Sequence, residues 1–312
     1  MNDGSSNRFA LALRLARAHY TPVVVAAALS GGMYELWRAG AIRWGNLALA
    51  ALGAFFAHLA ANVVNDVYDF ASGADTMAPT RESPDFGGSD VLTKGLMTPK
   101  EAAAWGVAFA AVALALGAAI ALTAGWSVFV PALLGALIAF EYVAPPLRFG
   151  YLGRGLGEVG ILIAFGPLTV AGAAWAVVGR WDWGAAALGV FVGINIVGIL
   201  YCHHFTHFEA DRAVGKMSPV AVLGAAVGLR LAWLLPTLSA ASLLALVATR
   251  LAPWPALLGL AAPAMQAAAL RRASPEIGIE GFGNLTRAVA GAATVGGAAL
   301  AGALAVAHWL GR

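Results

Sequence analysis

Residues 61–75 read ANVVNDVYDFASGAD and follow an apolar run over 47–59. The run opens a membrane helix, and the polar stretch is where that helix leaves the lipid. In helical register Asn62, Asp66 and Asp69 stand at i, i+4 and i+7, so they share one face, with Asn65 one turn before Asp69. Asp75 follows beyond the expected helix end. An ionised side chain at the centre of a bilayer costs about 2.5–3.5 kcal/mol on insertion scales. The cluster therefore needs a counter-charge, and a hard divalent cation held by oxygen ligands is the simplest one. A solvated acidic helix end is the competing reading; two carboxylates and two amides on adjoining positions argue against it.

The chain around this stretch is 60% hydrophobic and 11% charged, with a mean hydropathy of +0.78. Soluble domains carry about 25% charged residues, so an integral membrane protein is expected. Apolar windows of about 20 residues predict an all-α, polytopic fold of about nine transmembrane helices surrounding a central cavity. The windows cover 20–37, 47–64, 102–124, 127–143, 157–178, 183–202, 227–247, 254–270 and 288–310. Residues 1–312 read as a single domain. Residues 1–17 mix Phe9, Leu11, Leu13 and Leu15 with Arg8, Arg14 and Arg17, which predicts an interfacial helix rather than a cleaved leader. The lone cysteine, Cys202, has no partner for an intramolecular disulfide. The sequence pI is about 9.2, but the basic residues are scattered between apolar runs, which fits membrane topology and not nucleic-acid binding.

Placing the N-terminus inside collects most of the basic residues, from Arg8, Arg14 and Arg17 to Lys216 and Arg287, on one side. Arg38, Arg43, Arg180, Arg250 and Arg312 fall on the other. An inner-membrane protein with a cytoplasmic N-terminus and cytoplasmic chemistry is expected.

Four polar segments share that side. Residues 76–101 form a connection far longer than the usual 4–6 or so and read as a lid. Its Arg81 and Lys94, among Gly87, Gly88 and Gly95, are suited to an anion, with Lys94 the better phosphate contact. Residues 141–158 hold Tyr142, Arg148, Tyr151 and Arg154 in a Pro- and Gly-rich hairpin, and both arginines read as topology determinants or as anion ligands. Residues 195–220 place Asn195, His203, His207 and Asp211 at multiples of four, with Lys216 beyond. That stripe predicts a polar helix end facing the acidic helix across a shared cavity, histidine acting as hydrogen-bond partner, base or occasional ligand. His203, His207 and Asp211 also meet a zinc spacing, the less favoured reading because zinc takes three or four suitable ligands. In the last loop, Gly281-Phe282-Gly283 reads as a flexible cap.

Two polar helix ends followed by basic loops, above a cavity in the bilayer, describe a site for a phosphorylated lipid such as an isoprenyl diphosphate. Cations stabilise the leaving diphosphate and apolar walls shield the allylic cation from water. NDVYDFASGAD (65–75), TKGLMTPKE (93–101), YVAPPLRFGYLGRGLGE (142–158) and FEADRAVGK (208–216) together resemble the UbiA-type intramembrane prenyltransferases. The first element is most similar to the 1,4-dihydroxy-2-naphthoate prenyltransferases of menaquinone synthesis. The resemblance implies Mg²⁺, or Mn²⁺, with Asp66, Asp69 and Asp75 holding metal-diphosphate; Asp211 is a further candidate metal ligand, and Asp66, Asp69, His207 and Asp211 are the candidate catalytic residues. It implies Asn62 and Asn65 beside the diphosphate, where the reading of the basic loops adds Lys94, Arg148 and Lys216, and transfer of a polyprenyl group to a naphthoate-like aromatic acceptor.

The second element departs from the resembled pattern. Asp211, Gly215 and Lys216 keep their places, but His207 stands where that pattern has its first aspartate. His203 and His204 replace two asparagines, and Thr206 an arginine. Mg²⁺ prefers carboxylate and water to imidazole, so His207 reads as a proton acceptor at the aromatic substrate or as the mark of a different acceptor. Terpene cyclisation and, from another class, an ion-coupled transporter using the Asp and His stripes remain alternatives.

Overall fold

A computed structural model describes residues 3–74 and 89–311. Its helices are α1 (Asp3–Leu15), α2 (Pro22–Ala39), α3 (Trp44–Ser72), α4 (Pro99–Ala124), α5 (Trp126–Val143) and α6 (Leu156–Val178). They continue with α7 (Trp183–His204), the short α8 (Phe208–Ala213), α9 (Pro219–Ala248), α10 (Trp254–Leu270) and α11 (Gly278–Trp309). Among the described residues, seven helices are long and apolar enough to cross a membrane: α3 to α7, α9 and α11. Helix α2 and the shorter α10 lie where the sequence predicts a first and an eighth span.

Burial separates the helices by role. Of the most apolar window of α7, 78% is buried, against 22% for each of α3, α4 and α5, which turn broad apolar faces outward. A lipid-facing helix has no need of a polar side, so this asymmetry fits a bundle whose solvent is hydrocarbon. The main core gathers Val23 and Tyr34 of α2, Val170 and Val177 of α6, Leu188 and Phe191 of α7, Leu243 of α9 and Leu300 of α11. Trp44, Trp126, Trp183, Trp254 and Trp309 are exposed, each at the end of its helix away from Asp69. Such a belt marks the membrane–water boundary opposite the acidic cluster.

Two devices set the site. Midway along α6, residues Ala164–Leu168 form a π-helical turn containing Pro167. A Cβ on Gly166 would lie 2.4 Å from the carbonyl oxygen of Gly189 in α7. Only glycine permits that approach, and it brings the start of α6 against the end of α7. At the other edge, α1 is more than an interfacial segment. Ala12, Leu15 and Ala16 are fully buried against Leu59 and Val63 of α3 and Phe109 of α4. Arg17 then adopts a left-handed backbone (φ 49°) that turns the chain into α2, a conformation costing on the order of 1–3 kcal/mol for a non-glycine residue.

Three expectations change. Residues 76–88 of the expected lid lie outside the described residues; Ser89 to Thr98 is a packed turn with Val91, Leu92 and Met97 buried, and Pro99 already begins α4 behind a Thr98–Glu101 capping box. The seventh span starts at Pro219, ahead of the expected Val227, because residues 219–223 are themselves apolar; Gly224 (φ 76°) kinks it. Gly281-Phe282-Gly283 is helical, because Phe282 is buried and stacks on Phe205 at 4.9 Å.

Candidate active site

The cytoplasm-facing ends expected for α3 and α7 enclose a cavity of about 150 Å³. Its mouth is lined by Arg17, Asn62, Asn65, Asp69, His203, His204, His207, Asp211 and Lys216. Its wall is lined by Ala139, Ile161, Phe165 and Leu200, which lie one or two turns further along α5, α6 and α7 toward the membrane interior. Polar head and apolar wall thus follow from where each helix leaves its apolar run.

Asp69 is the node. Tyr151 donates its hydroxyl to Asp69 Oδ1 at 2.6 Å, while Lys216 Nζ lies 3.1 Å and Asn65 Nδ2 3.2 Å from Oδ2. Ser72 Oγ lies 2.9 Å from the Tyr151 hydroxyl. Asp66 sits one layer back, ion-paired with Arg17, and accepts from the Ser89 backbone N–H at 3.2 Å. Arg17 also reaches Asn65 Oδ1 at 3.3 Å, and Asn62 donates to the carbonyl of Ala16 at 2.8 Å. Two cations of the chain itself therefore supply much of the counter-charge that the sequence assigns to a divalent ion. Each carboxylate oxygen has two lone pairs, so Asp66 and Asp69 keep capacity for a hard cation.

The stripe expected through Asn195, His203, His207 and Asp211 is broken. Helix α7 ends at His204 and the chain turns before α8, with His207 at φ −149°, ψ 22°. Asn195 is an interior residue, bonded to the Phe191 carbonyl and to Ser239. The turn brings together His204, His207 and Asp211, whose ligand atoms all lie within 4.8 Å of one another. His204 Nε2 is 3.2 Å from Glu158 Oε1, and Thr206 Oγ1 is 2.8 Å from His207 Nδ1. His203 stays beside the group, its ring centroid 4.6 Å from that of His207.

Beyond the spans the electrostatics are ordered. Burial holds the His207 imidazole well below its usual range, and the nearby Lys216 charge adds to this, so the ring is neutral. Burial pushes the Asp211 carboxyl up against the pull of Lys216. For Lys216 burial opposes the charge, yet Asp69 and Asp211 outweigh it and hold the ammonium well above the ordinary range. Burial and then Asp69 raise the Tyr151 phenol, which stays a donor.

Two expected diphosphate contacts stand apart from the cavity. Lys94 Nζ pairs with Asp90 at 3.2 Å on a partly exposed surface, beside Arg14. Arg148 lies over the Tyr151 ring at 4.2 Å and donates from Nε to the Val143 carbonyl at 3.2 Å, so it braces the tyrosine. Arg81 and Asp75 lie outside the described residues. Arg17 and Tyr151 have no such role in the sequence reading. Nothing in local sequence separates Arg17, just past α1, from Arg8 and Arg14 within it; the packing of α1 on α3 brings Arg17 to Asn65 and Asp66.

The chain matches the UbiA prenyltransferase family over residues 23–276, and it belongs to that family. It is 41% identical over 128 residues to the 2-carboxy-1,4-naphthoquinone phytyltransferase of Synechocystis, a match covering 40% of this chain and 40% of that protein. The 1,4-dihydroxy-2-naphthoate octaprenyltransferase of Mycobacterium tuberculosis is 27% identical over 212 residues, covering 67% of this chain and 68% of that protein. The chain thus spans about two fifths of the length of the first of these relatives. A UbiA homolog from Archaeoglobus fulgidus, bound to DMAPP and Mg²⁺, superposes over 93% of this chain and 98% of its own with a TM-score of 0.63 at 17% identity. One from Aeropyrum pernix gives 0.67 over 89% and 96% at 18% identity. These structures share the fold. Family membership removes the transporter reading.

Proposed function

We propose that this protein transfers a polyprenyl group from an isoprenyl diphosphate to a 1,4-dihydroxy-2-naphthoate-like acceptor at the cytoplasmic face of the inner membrane. The observation that carries this is the Asp69–Lys216–Tyr151 node, which ties the two polar helix ends together at the head of a cavity with an apolar wall. Names of the naphthoquinone and dihydroxynaphthoate relatives support the acceptor class.

In this reading Lys216 and Arg17 hold the diphosphate oxygens, and Asn62 and Asn65 orient them. Lys94 and Arg148, expected beside the diphosphate, act on Asp90 and Tyr151 instead. Asp66 and Asp69, with Asp75, are proposed to hold Mg²⁺, or Mn²⁺, which when bound would neutralise charge on the departing diphosphate; Asp211, expected to join them, faces His204 and His207 instead. The C1–O bond of the donor breaks and diphosphate leaves with the electron pair. Phe165, Ile161 and Leu200 keep water from the allylic cation. The acceptor ring carbon bonds to C1 and sheds the substituent it carried, a proton in the simplest case; in the metal-free protein the neutral His207 ring, with Nε2 free among the described residues, is the candidate for that proton.

The test is product analysis of purified protein given geranylgeranyl or longer diphosphates, with and without dihydroxynaphthoate. Prenylated naphthoate only when both are present supports the reading. A cyclised hydrocarbon formed without acceptor would mean terpene cyclisation instead. Asp66→Ala and Asp69→Ala should each remove most turnover in protein that still inserts and purifies.

A further inference from the structure

We propose that His204, His207 and Asp211 form a site for a borderline divalent transition-metal ion, of the zinc or cobalt class, distinct in preference from the oxygen donors of Asp66 and Asp69. Asp211 Oδ2 faces both rings, 3.8 Å from His207 Nε2 and 4.0 Å from His204 Nδ1. Two ligands each 2.0–2.1 Å or so from one ion stand about 3.4 Å apart, so a small closure of side chains completes the set. Asp211 and His204 are 2% and 4% exposed, and Asp211 Oδ2 and His204 Nδ1 have no hydrogen-bond partner. A buried carboxylate oxygen and a buried imidazole nitrogen aimed at one point call for a shared partner.

The outer contacts agree. Each ring has its other nitrogen held, His204 by Glu158 at 3.2 Å and His207 by Thr206 at 2.8 Å. A carboxylate or hydroxyl behind a histidine fixes the ring and the tautomer that points its lone pair inward, which is the usual second layer around metal-bound histidine. Two imidazoles and one carboxylate suit zinc, cobalt or iron and are poor for Mg²⁺, which prefers oxygen. Lys216 Nζ, 4.0 Å from Asp211 Oδ1, lies on the other side of the carboxylate. The proposal goes beyond prenyl transfer and does not depend on it, because cation binding is read directly.

The experiment uses the full chain in detergent, freed of any histidine tag and of metal by chelation, and titrates it with Co²⁺ while recording ligand-field absorption. Uptake of about one equivalent with visible bands is expected, displaced by Zn²⁺ but not by about 100-fold more Mg²⁺. Asp211→Asn and His204→Gln should abolish the bands, and Glu158→Gln should weaken Co²⁺ binding about 10- to 100-fold. Asp66→Asn should keep the bands even where it abolishes prenyl transfer, which separates this proposal from the functional one. Should a variant fail to fold, His207→Asp is the second arm. It exchanges nitrogen for oxygen and should let Mg²⁺ compete. Absent bands, displacement by equal Mg²⁺, or bands unchanged in both Asp211→Asn and His207→Asp would overturn the proposal.

Discussion

Lys216 Nζ lies 3.1 Å from Asp69 Oδ2, across 147 residues of chain, and both side chains are buried. This pair joins the end of α3 to the segment after α8. Removing one member of a buried pair costs about 3–5 kcal/mol because the other charge is left alone, whereas removing both is often far milder. Lys216→Met should therefore lower the thermal midpoint in detergent strongly. Asp69→Asn with Lys216→Met should recover part of the loss, with a coupling of about 1 kcal/mol or more in a double-mutant cycle. Strict additivity would mean the two do not share a stabilising contact.

Arg17 is expected to behave as a site residue despite its place at the end of α1. Arg17→Gln removes the partner of Asp66 and should weaken donor use at least about 10-fold, with a smaller effect on the acceptor. Arg17→Lys keeps the charge but cannot span Asn65 and Asp66 together, so it should restore only part. Steady-state kinetics against donor concentration decide this, and an unchanged donor dependence in Arg17→Gln would return the residue to topology.

Tyr151 and Lys94 should part company. Tyr151→Phe deletes a hydrogen bond to a carboxylate, a loss of about 1.5–3 kcal/mol, equivalent to roughly a 10- to 100-fold fall in turnover if Asp69 orientation matters. Lys94→Gln removes the half-exposed partner of the buried Asp90, which keeps Arg14 nearby, and should change donor dependence less than about two-fold. Arg148→Gln should follow Tyr151→Phe in direction, since its guanidinium stacks on that ring. A Lys94→Gln enzyme crippled in donor use would place the lysine in the site after all.

The raised Lys216 ammonium sets a pH dependence in the metal-free protein. Its folded-state pKa exceeds the unfolded value of about 10.4, so the folded chain binds its proton more tightly. The stabilisation is fully present below about pH 10.4 and is lost as pH rises through the folded value. Thermal midpoints should fall on the alkaline side of that point, and Lys216→Met should flatten this part of the profile. Parallel curves for the two proteins would show that Lys216 does not couple to folding.

Much of the architecture was legible in sequence because lipid imposes a simple rule. Backbone polar groups must be satisfied within each segment, so apolar runs of sufficient length become helices, and their positions overlap α2 to α7 and α9 to α11, with α9 and α11 beginning two or more turns earlier than expected. The polar residues that end α3 and α7 were equally visible, since carboxylates beside a membrane span are costly and stand out. Periodicity failed where the helix itself stopped. The stripe through Asn195, His203, His207 and Asp211 assumes one continuous helix, and the turn after His204 replaces His203 with His204 opposite Asp211.

By itself, then, the sequence determined the membrane class, the helical order, the acidic helix end and the family resemblance, because each depends on the composition of a local window. Only the tertiary structure decided which charges meet. Arg17 reaches Asp66 through the docking of α1 and a left-handed turn, and Tyr151 and Lys216 reach Asp69 from 82 and 147 residues away. Glu158 meets His204 because glycine contacts close α6 onto α7. Ion pairs and hydrogen bonds act over about 3–4 Å, a range set by the packing of whole helices and not by spacing along the chain.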